Sequence, residues 1–162
     1  MRMKSALTPV LGLSLILLGA LAAAPTAHAV IADHSGTICK NYNASEATLI
    51  DYLTNGARSF KASATSVICP LARNTSNGNG AWVYVDITHT GTQTTSCTAY
   101  SYNFNGSFLA SASQTWTGSG FHEFALNLTG AGKSNSWSNY SVLCTIPGSS
   151  AGLVYDIDLS EL

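Results

Sequence analysis

Short runs of alternating apolar and polar residues occur along most of the chain, and they constrain its fold more than any other feature. In residues 82–88, Val83, Val85 and Ile87 fall on one face of an extended strand. A period of two is typical of β-strands with one buried face. No stretch with a 3.6-residue period is long enough to predict a layer of helices. Similar runs occur at 65–69, 97–104, 108–116, 121–128, 140–146 and 153–159. The sequence therefore predicts an all-β fold of seven to eight short strands, either a two-sheet antiparallel, jelly-roll-like sandwich or a barrel.

Glycine, asparagine and serine between these runs predict where the chain reverses. Asn105-Gly106 is a strong hairpin signal, because its turn positions need positive φ angles that these residues tolerate. We expect another reversal at Gly118-Ser119-Gly120. Pro70 is expected to end the strand at 65–69. Polar loops are predicted at 74–80, 89–95 and 129–139.

The Asn105-Gly106 hairpin leaves open which face of the strand at 97–104 is buried. Tyr100 and Tyr102 share one face, while Cys97 and Ala99 share the other. Aromatic bulk favours burial of the first pair, whereas a disulfide at Cys97 favours burial of the second. A β-bulge between Cys97 and Tyr100 would bury both sets, and without a bulge one face must carry exposed tyrosines.

The first 29 residues have the pattern of a cleavable secretory signal peptide. Arg2 and Lys4 precede an uncharged apolar run, and Ala27-His28-Ala29 provides a small-x-small cleavage site. We expect residues 30–45 to form an irregular N-terminal arm and residues 46–162 to form the β-sandwich domain. This pattern predicts an exported protein, secreted or periplasmic.

The composition of the expected mature chain excludes two classes of partner. Residues 30–162 contain five Lys and Arg against eight Asp and Glu, a net charge of −3, which argues against nucleic-acid binding. They contain no apolar segment that approaches the length of a membrane span.

The four cysteines, Cys39, Cys69, Cys97 and Cys144, all lie beyond the expected cleavage site. An even number of cysteines in an exported chain indicates two disulfides, and four cysteines allow three pairings. Their spacings of 30, 28 and 47 residues are too wide for the close pairs of a zinc site. We favour Cys39–Cys69 with Cys97–Cys144, since the first bond would tether an N-terminal arm that has little apolar surface.

Three segments around the cysteines resemble an uncharacterised family of short secreted bacterial proteins. Residues 67–73 contain Val-Ile-Cys-Pro-Leu, residues 97–101 read Cys-Thr-Ala-Tyr-Ser, and residues 142–147 read Val-Leu-Cys-Thr-Ile-Pro. Members of that family have a signal peptide, a leading cysteine, a V-x-C-P-L segment and a late L-x-C-x-[IL]-P segment. The resemblance implies a single disulfide-bonded β-sandwich with no transferable catalytic residues. It also implies that the Cys97 face is inward, since the position of Ala99 tends to be larger and apolar there.

Aromatic residues on the strand faces form the candidate ligand-binding site. If Val83 and Cys97 face inward, then Trp82, Tyr84, Tyr100 and Tyr102 face outward. Exposed aromatic rows stack against sugar rings or contact another protein, although half of these residues could instead belong to the core. Trp116 and Trp137 lie at or near loops and could extend such a surface.

Catalytic and metal motifs are not evident, so we predict a non-enzymatic protein without a cofactor or metal. His122-Glu123 is not followed by the second histidine of a zincin motif, and no Gly-x-Ser-x-Gly occurs. Asp156 and Asp158 lie two apart on one strand face, so they are the candidate pair for glycoside hydrolysis or a calcium site. The alternative is an ordinary solvated strand face.

Three functions are compatible with these features. The favoured one is an exported, non-catalytic β-sandwich that binds a glycan or a cell-surface component through exposed aromatic residues. A structural or surface-coat protein also fits the low charge and the abundance of Ser, Thr and Asn. A small glycoside-type hydrolase is the least favoured.

Overall fold

The computed structural model describes residues 30–76 and 78–162, so the predicted signal peptide lies outside the described residues. Two short 3-10 helices, Gly36–Ile38 and Ala44–Glu46, accompany the strands. The described strands are β1 Val30–Ser35, β2 Lys40–Asn41, β3 Ile50–Leu53, β4 Gly56–Ser59, β5 Thr65–Leu71, β6 Ala81–Tyr102, β7 Phe108–Asn127, β8 Asn139–Ile146 and β9 Gly152–Glu161. Within this part of the chain, no helix is long and apolar enough to cross a membrane.

The strands pair antiparallel in the order β2-β5-β8-β6-β9-β4-β3, with β1 added beside β9 and β7 added beside β6. β6 belongs to both halves of this sheet. Its segment Ala81–His89 pairs with β9, and its segment Ser96–Tyr102 pairs with β8. We call the two parts the β9 half and the β8 half; together they form the predicted β-sandwich.

The core lies between the two halves and consists of every second residue of their strands. In the β9 half, Val83, Val85, Phe124 and Ile157 are fully buried. In the β8 half, the buried positions are Val67, Cys69, Cys97, Ala99, Val142 and Cys144. Truncating a side chain such as that of Phe124 to alanine would cost about 3–5 kcal/mol, because the cavity left behind collapses only in part.

Both predicted disulfides are present, and each joins neighbouring strands. Cys97 and Cys144 are register partners on β6 and β8, with their Cα atoms 4.1 Å apart. Cys39 bonds to Cys69 at a Cα separation of 3.9 Å, and the next residue, Lys40, pairs with Ile68. The predicted pairing is confirmed. The Cys39–Cys69 disulfide ties β2 and the 3-10 helix before it to β5.

The expectation of an irregular arm at residues 30–45 is wrong for its first six residues. Val30–Ser35 form β1, which pairs with β9 from Val30 opposite Glu161 to Ser35 opposite Asp156. The segment has little apolar surface, since only Ala32 among its side chains is buried. Its backbone pairing with β9 places it in the sheet, and this pairing has no signature in the segment's own sequence.

The predicted loop at 89–95 and the predicted reversal at 118–120 are both absent, because β6 and β7 run through these positions as paired strands. The β6–β7 ladder shifts register between His89 and Gln93, where the chain passes from one half to the other. Gly91 and Gly120 have φ angles of +85° and +87°, respectively. These glycines therefore allow a corner at the irregularity in the ladder, where residues 90–92 and Ser119 lie between the pairs His89–Gly120 and Gln93–Gly118.

The hairpin predicted at Asn105-Gly106 is confirmed, although its loop is longer than a two-residue turn. β6 ends at Tyr102 and β7 begins at Phe108. Asn103 accepts a hydrogen bond from the Gly106 amide at 2.9 Å and donates to the Ser107 carbonyl at 2.8 Å. Gly106 has a φ of +81°, which glycine adopts without steric cost.

Pro70 does not end β5 as predicted. The strand continues to Leu71, and Pro70 pairs in register with Ser141 of β8. β2 covers only Val67 and Ile68 on the other side of β5. Proline is tolerated there because an edge position needs no donor from its backbone nitrogen.

Candidate functional site

The structure places all four predicted aromatic residues on the outer face of β6, alternating with buried neighbours. Trp82 and Tyr84 stack with ring centroids 6.4 Å apart, and Tyr100 and Tyr102 stack at 6.0 Å. The two pairs do not lie together. Trp82 and Tyr84 belong to the β9 half, whereas Tyr100 and Tyr102 belong to the β8 half.

The question of which face of residues 97–104 is buried is settled without a bulge between Cys97 and Tyr100. Cys97 and Ala99 have no exposed surface, and the register with β7 and β8 is continuous from Cys97 to Tyr100. Tyr100 and Tyr102 therefore point outward and are half-buried. The disulfide and the small alanine, rather than aromatic bulk, occupy the core side.

Further rings surround Tyr102 at the end of the β8 half. Phe108 meets Tyr102 edge-to-face at 5.8 Å, and Phe104 meets Trp137 edge-to-face at 6.4 Å. Phe104 and Trp137 are each 71% exposed. Tyr102 also pairs with Asn139, two residues beyond Trp137, so both groups of rings lie at the same end of the β8 half. We call Tyr100, Tyr102, Phe104, Phe108 and Trp137 the aromatic end.

Two adjoining clefts open at the aromatic end. One, of about 540 Å³, is lined by Phe104 and Trp137 among the residues that the structure describes. The other, of about 420 Å³, shares these two rings and adds polar side chains that include Asn74, Ser136 and Asn139. An apolar wall beside a few amide and hydroxyl groups is the usual composition of a small-molecule site.

Arg73 holds the loop that carries Trp137. Its Nη1 donates to the carbonyl oxygens of Asn135, Ser136 and Ser138 at 3.2, 3.1 and 3.2 Å. Its guanidinium also lies 5.4 Å from the centroid of the Tyr140 ring. Since a guanidinium presents several donors in a fixed plane, one side chain fixes three backbone groups of this loop.

Glu161 holds Arg73 in turn and is only 2% exposed. Its Oε1 accepts from Arg73 Nε at 2.5 Å, and its Oε2 accepts from the amides of Asn74 and Thr75 at 2.8 and 3.0 Å. The Glu161 carboxylate thus joins the two loops that line the polar cleft. No sequence motif marks Arg73 or Glu161 for this role.

Beyond the aromatic end, the outer face of the β8 half carries hydroxyl groups along β6 and β7, while β5 and β8 add the apolar side chains of Ile68 and Leu143 in register with Thr98. Three cross-strand pairs follow one another along β6 and β7: Thr94 with Thr117 at 2.8 Å, Ser96 with Thr115 at 2.7 Å and Thr98 with Ser113 at 2.8 Å. We call these pairs the hydroxyl ladder. A fourth pair, Ser66 with Thr145 at 3.0 Å, lies in the same row as Ser96 and Thr115.

The outer faces of the two halves differ in charge. Residues 65–71, 93–102, 108–117 and 139–146, which form the face of the β8 half, contain no Asp, Glu, Lys or Arg. Lys40 stands at the far edge of this face, on β2. We call it the neutral face. A cluster of five carboxylates lies on the outer face of the β9 half, which we call the acidic face: Asp33, Asp86, Glu123, Asp156 and Asp158.

Burial and, to a smaller extent, crowding of the carboxylates raise the pKa values of three acids on the acidic face. Burial raises the pKa of Asp156 to about 6, with further contributions from the hydrogen bond and the charge of Asp33 and from the charge of Asp158. Burial also raises the pKa values of Asp86 and Asp158. One oxygen each of Asp86 and Asp156 is buried without a hydrogen-bond partner. This face therefore favours protonated acids more than the unfolded chain does.

The candidate acid pair Asp156 and Asp158 lies next to Asp33 of β1. One carboxylate oxygen from each of the three lies within 4.8 Å of the others, so these residues could hold a cation. Ca²⁺ takes six to eight oxygen ligands. Three carboxylates on one strand face supply part of such a shell. The sequence did not single out Asp33, because its strand pairing with Asp158 was not foreseen.

Trp116, a candidate for extending the aromatic surface, is instead partly buried against the core. It lies between His89 and His122, with ring centroids 4.8 and 4.6 Å away. His89 donates from Nδ1 to the Gly118 carbonyl at 2.9 Å, which leaves Nε2 to accept from the Thr95 hydroxyl at 2.7 Å. This stack consolidates the corner of the β6–β7 ladder.

No family model matches the chain, and no curated protein is similar to it in sequence. Among solved structures, the CBM36-1 domain of a multidomain xylanase from the hindgut metagenome of Trinervitermes trinervoides superposes with a TM-score of 0.50 at 6% identity, covering 82% of this chain and 98% of that chain. TmCBM61 in complex with β-1,4-galactotriose has a TM-score of 0.44 at 8% identity, covering 82% and 88%. The family 11 carbohydrate-binding module of the cellulosomal cellulase Lic26A-Cel5E of Clostridium thermocellum has a TM-score of 0.40 at 11% identity, again covering 82% and 88%. At such identities the likeness to the CBM36-1 domain is one of fold, and it agrees with the predicted β-sandwich.

Proposed function

We propose that the protein is a non-catalytic, extracellular β-sandwich that binds a glycan at its aromatic end. The observation that carries the proposal is the exposure of Phe104 and Trp137, which form an open apolar cleft beside polar side chains. Exposed aromatic rings of this size are costly to leave in water unless they meet a ligand or a partner. The likeness of fold to a module of a xylanase supports the same function.

The chemistry of a sugar ring suits this end of the molecule. The axial C–H groups of a sugar pack against aromatic faces, while its hydroxyls need hydrogen-bond partners around the rim. Tyr102 and Trp137 supply the aromatic faces, and Asn74, Ser136 and Asn139 supply amide and hydroxyl groups. Arg73 keeps the Trp137 loop in place before ligand arrives, so less conformational entropy is lost on binding.

Two disulfides fit the same assignment. They persist in oxidising compartments outside the cytosol, where polysaccharides are encountered. Each closes a long loop and stabilises a domain that has only one core.

Affinity electrophoresis through gels containing single polysaccharides tests the proposal. A panel of xylan, galactomannan, glucomannan, mixed-linkage β-glucan, galactan and polygalacturonate should retard the wild-type protein in at least one gel. Trp137→Ala and Tyr102→Ala should weaken that retardation by about tenfold or more, because stacking on each ring is lost. The melting temperature of Trp137→Ala should stay near that of the wild type, because the Trp137 side chain is mostly exposed.

Trp82→Ala is the matched control. Trp82 is also an outward ring stacked on a tyrosine, but it lies on the acidic face. We expect its retardation to equal that of the wild type. Failure of every polysaccharide to retard the wild type, or equal retardation of Trp137→Ala and the wild type, would contradict the proposal.

A surface-coat function is the second candidate, and one observation favours it. β7 has 20 residues and pairs only with β6 among the described strands, so it leaves a long sheet edge. Such edges pair with further strands unless they are protected. The Gln114 side chain occupies part of this edge by bonding to both backbone groups of Ala125, at 2.9 and 3.3 Å. Sedimentation velocity at increasing concentration distinguishes the two functions, since a coat protein assembles and a binding module stays at constant mass.

A further inference from the structure

We infer that the ligand is a neutral, extended polysaccharide chain that runs along β6, from the aromatic end across the hydroxyl ladder. This inference rests on the proposed function and specifies the class of glycan and the surface it covers. Four features carry it: the row of outward positions on β6, their continuity with the aromatic end, their remaining hydrogen-bonding capacity and the difference in charge between the two faces.

The outward residues in the second part of β6 form one row. Thr94, Ser96, Thr98, Tyr100 and Tyr102 occupy successive outward positions in the segment that pairs with β7 and β8. Two residues of a strand span about 6.6 Å, so the row is about 26 Å long. One sugar ring covers only part of that length. The full row requires a chain of several sugars.

The ladder is continuous with the aromatic end. Thr98 and Ser113 are followed on the same two strands by Tyr100 and Ser111. A chain seated on the rings of Tyr100 and Tyr102 and directed along β6 therefore continues over Thr98. The hydroxyl groups act here as an extension of an aromatic site.

Each pair of the ladder keeps hydrogen-bonding capacity for a ligand. In a pair of hydroxyls, one proton is used between the two side chains and the other stays available. The pairs Ser96 with Thr115 and Thr98 with Ser113 thus each present one donor and several lone pairs to the outside. Sugar hydroxyls both donate and accept, so they match a surface that does the same. The internal bond of each pair also fixes the side chains in advance.

Charge separates this surface from the rest of the molecule. The ladder, Tyr100 and Tyr102 lie on the neutral face, whose defining strand residues include no Lys or Arg to hold a uronate or sulfate group. Arg73, which lines the polar cleft, is already paired with the Glu161 carboxylate and with backbone carbonyls. The carboxylates of the acidic face repel polyanions. A neutral polymer needs no cation and is not repelled by the acidic face. The hydroxyl groups of the ladder replace the hydrogen bonds to water that its sugars lose on binding.

Two variants place a carboxylate on one face or the other. Thr98→Asp adds a charge in the ladder, outside the aromatic end, and Thr88→Asp adds the same charge to an outward position of β6 in the β9 half. A third variant, Thr98→Val with Ser113→Ala, removes one hydroxyl pair without adding charge. Melting temperatures of all three establish that they fold.

Affinity electrophoresis and calorimetry then give distinguishable results. We expect the wild type to bind neutral polymers such as xylan or galactomannan and not polygalacturonate, and to bind the hexasaccharide of the retained polymer about tenfold more tightly than the disaccharide. Thr98→Asp should weaken hexasaccharide binding by about tenfold, and Thr88→Asp should leave it unchanged. The hydroxyl-pair variant should lose affinity about threefold for the hexasaccharide and none for the disaccharide.

Three outcomes would overturn this inference. Preference for polygalacturonate would contradict the proposal that the ligand is a neutral polysaccharide. Equal affinity for the disaccharide and the hexasaccharide would contradict an extended binding site. Equal binding by Thr98→Asp and the wild type contradicts the role of the ladder, while the proposed function stands if Trp137→Ala still loses binding. Absence of any binding by the wild type instead refutes the proposed function and this inference together.

Discussion

Arg73 donates from Nε to the buried carboxylate of Glu161 at 2.5 Å, across 88 residues of sequence. The same guanidinium holds the carbonyl groups of the loop that carries Trp137. The ion pair thus links the last strand of the sheet to the cleft proposed to bind sugar. Its geometry explains how a ring as exposed as Trp137 keeps a defined place on a loop rich in glycine and serine.

Breaking this ion pair should be costly. Glu161→Gln keeps the shape of the side chain but leaves the Arg73 charge without its counter-ion, which typically costs about 3–5 kcal/mol for a buried pair. Urea denaturation measures the free energy of unfolding. Asp51→Asn is the control, because the Arg58–Asp51 pair is more than one-third exposed on both sides and should contribute about 1 kcal/mol or less. Equal losses in the two variants would contradict the assignment.

Stability should fall as pH rises through the titration of Asp156. Its pKa is raised from 3.8 to about 6 in the folded protein, so the native state binds more protons than the unfolded state between these values. The free energy of unfolding therefore decreases from about pH 4 to pH 6, by about 1 kcal/mol after allowance for solvent screening.

Asp156→Asn tests this pH dependence. The variant should be more stable than the wild type at pH 7.5, by about 1 kcal/mol, and of similar stability at pH 4. Urea denaturation at both pH values measures the difference. A difference that is the same at both pH values would show that Asp156 does not titrate in this range.

Glu46 should give the opposite slope at lower pH. Hydrogen bonds from Lys61, Thr65 and Asn43 lower its pKa from 4.5 to about 2. The unfolded state then binds more protons than the native state, so the contribution of Glu46 to stability is lost as pH falls from about 4.5 to about 2. Glu46→Gln should flatten the acid side of the profile, as followed by circular dichroism. An unchanged acid midpoint would contradict this role.

The two disulfides should contribute similar amounts to stability. Their sequence separations are 30 for Cys39–Cys69 and 47 for Cys97–Cys144. Loop closure in the unfolded chain then accounts for about 4 kcal/mol each, with a difference of only a few tenths. Paired Cys→Ser variants, compared by urea denaturation, measure both. A loss confined to one disulfide would show that native contacts, not loop closure, determine the effect.

Local patterns in the sequence predicted the strands because alternation is expressed by near neighbours, and the even number of cysteines in a chain expected to be exported predicted the two disulfides. Alternation at Val83, Val85 and Ile87 identified the buried face of the first part of β6, whereas the face buried at Cys97 was left open by the alternation and was implied only by the family resemblance. The aromatic residues of β6 were expected on its outer face only if Val83 and Cys97 faced inward, and the structure meets that condition. Their division into two pairs followed from the corner, which no residue pattern marked as such.

Contacts across long sequence separations were beyond such patterns. Gly118-Ser119-Gly120 has the composition of a turn, and only the pairing of β7 with β6 shows that it is a corner. Glu161 looked like any acid near the end of a strand. Its role depends on Arg73, and the two meet only after β9 and β5 have joined the same sheet.

The position of the glycan is the central claim, and the three tryptophan indole N–H signals test it most directly. Trp82, Trp116 and Trp137 lie on the acidic face, in the corner of the β6–β7 ladder and at the aromatic end, respectively. In a ¹⁵N-resolved NMR titration with the retained oligosaccharide, we predict that the Trp137 indole signal shifts with ligand concentration while those of Trp82 and Trp116 stay in place. A shift of the Trp82 signal with an unmoved Trp137 would contradict the account.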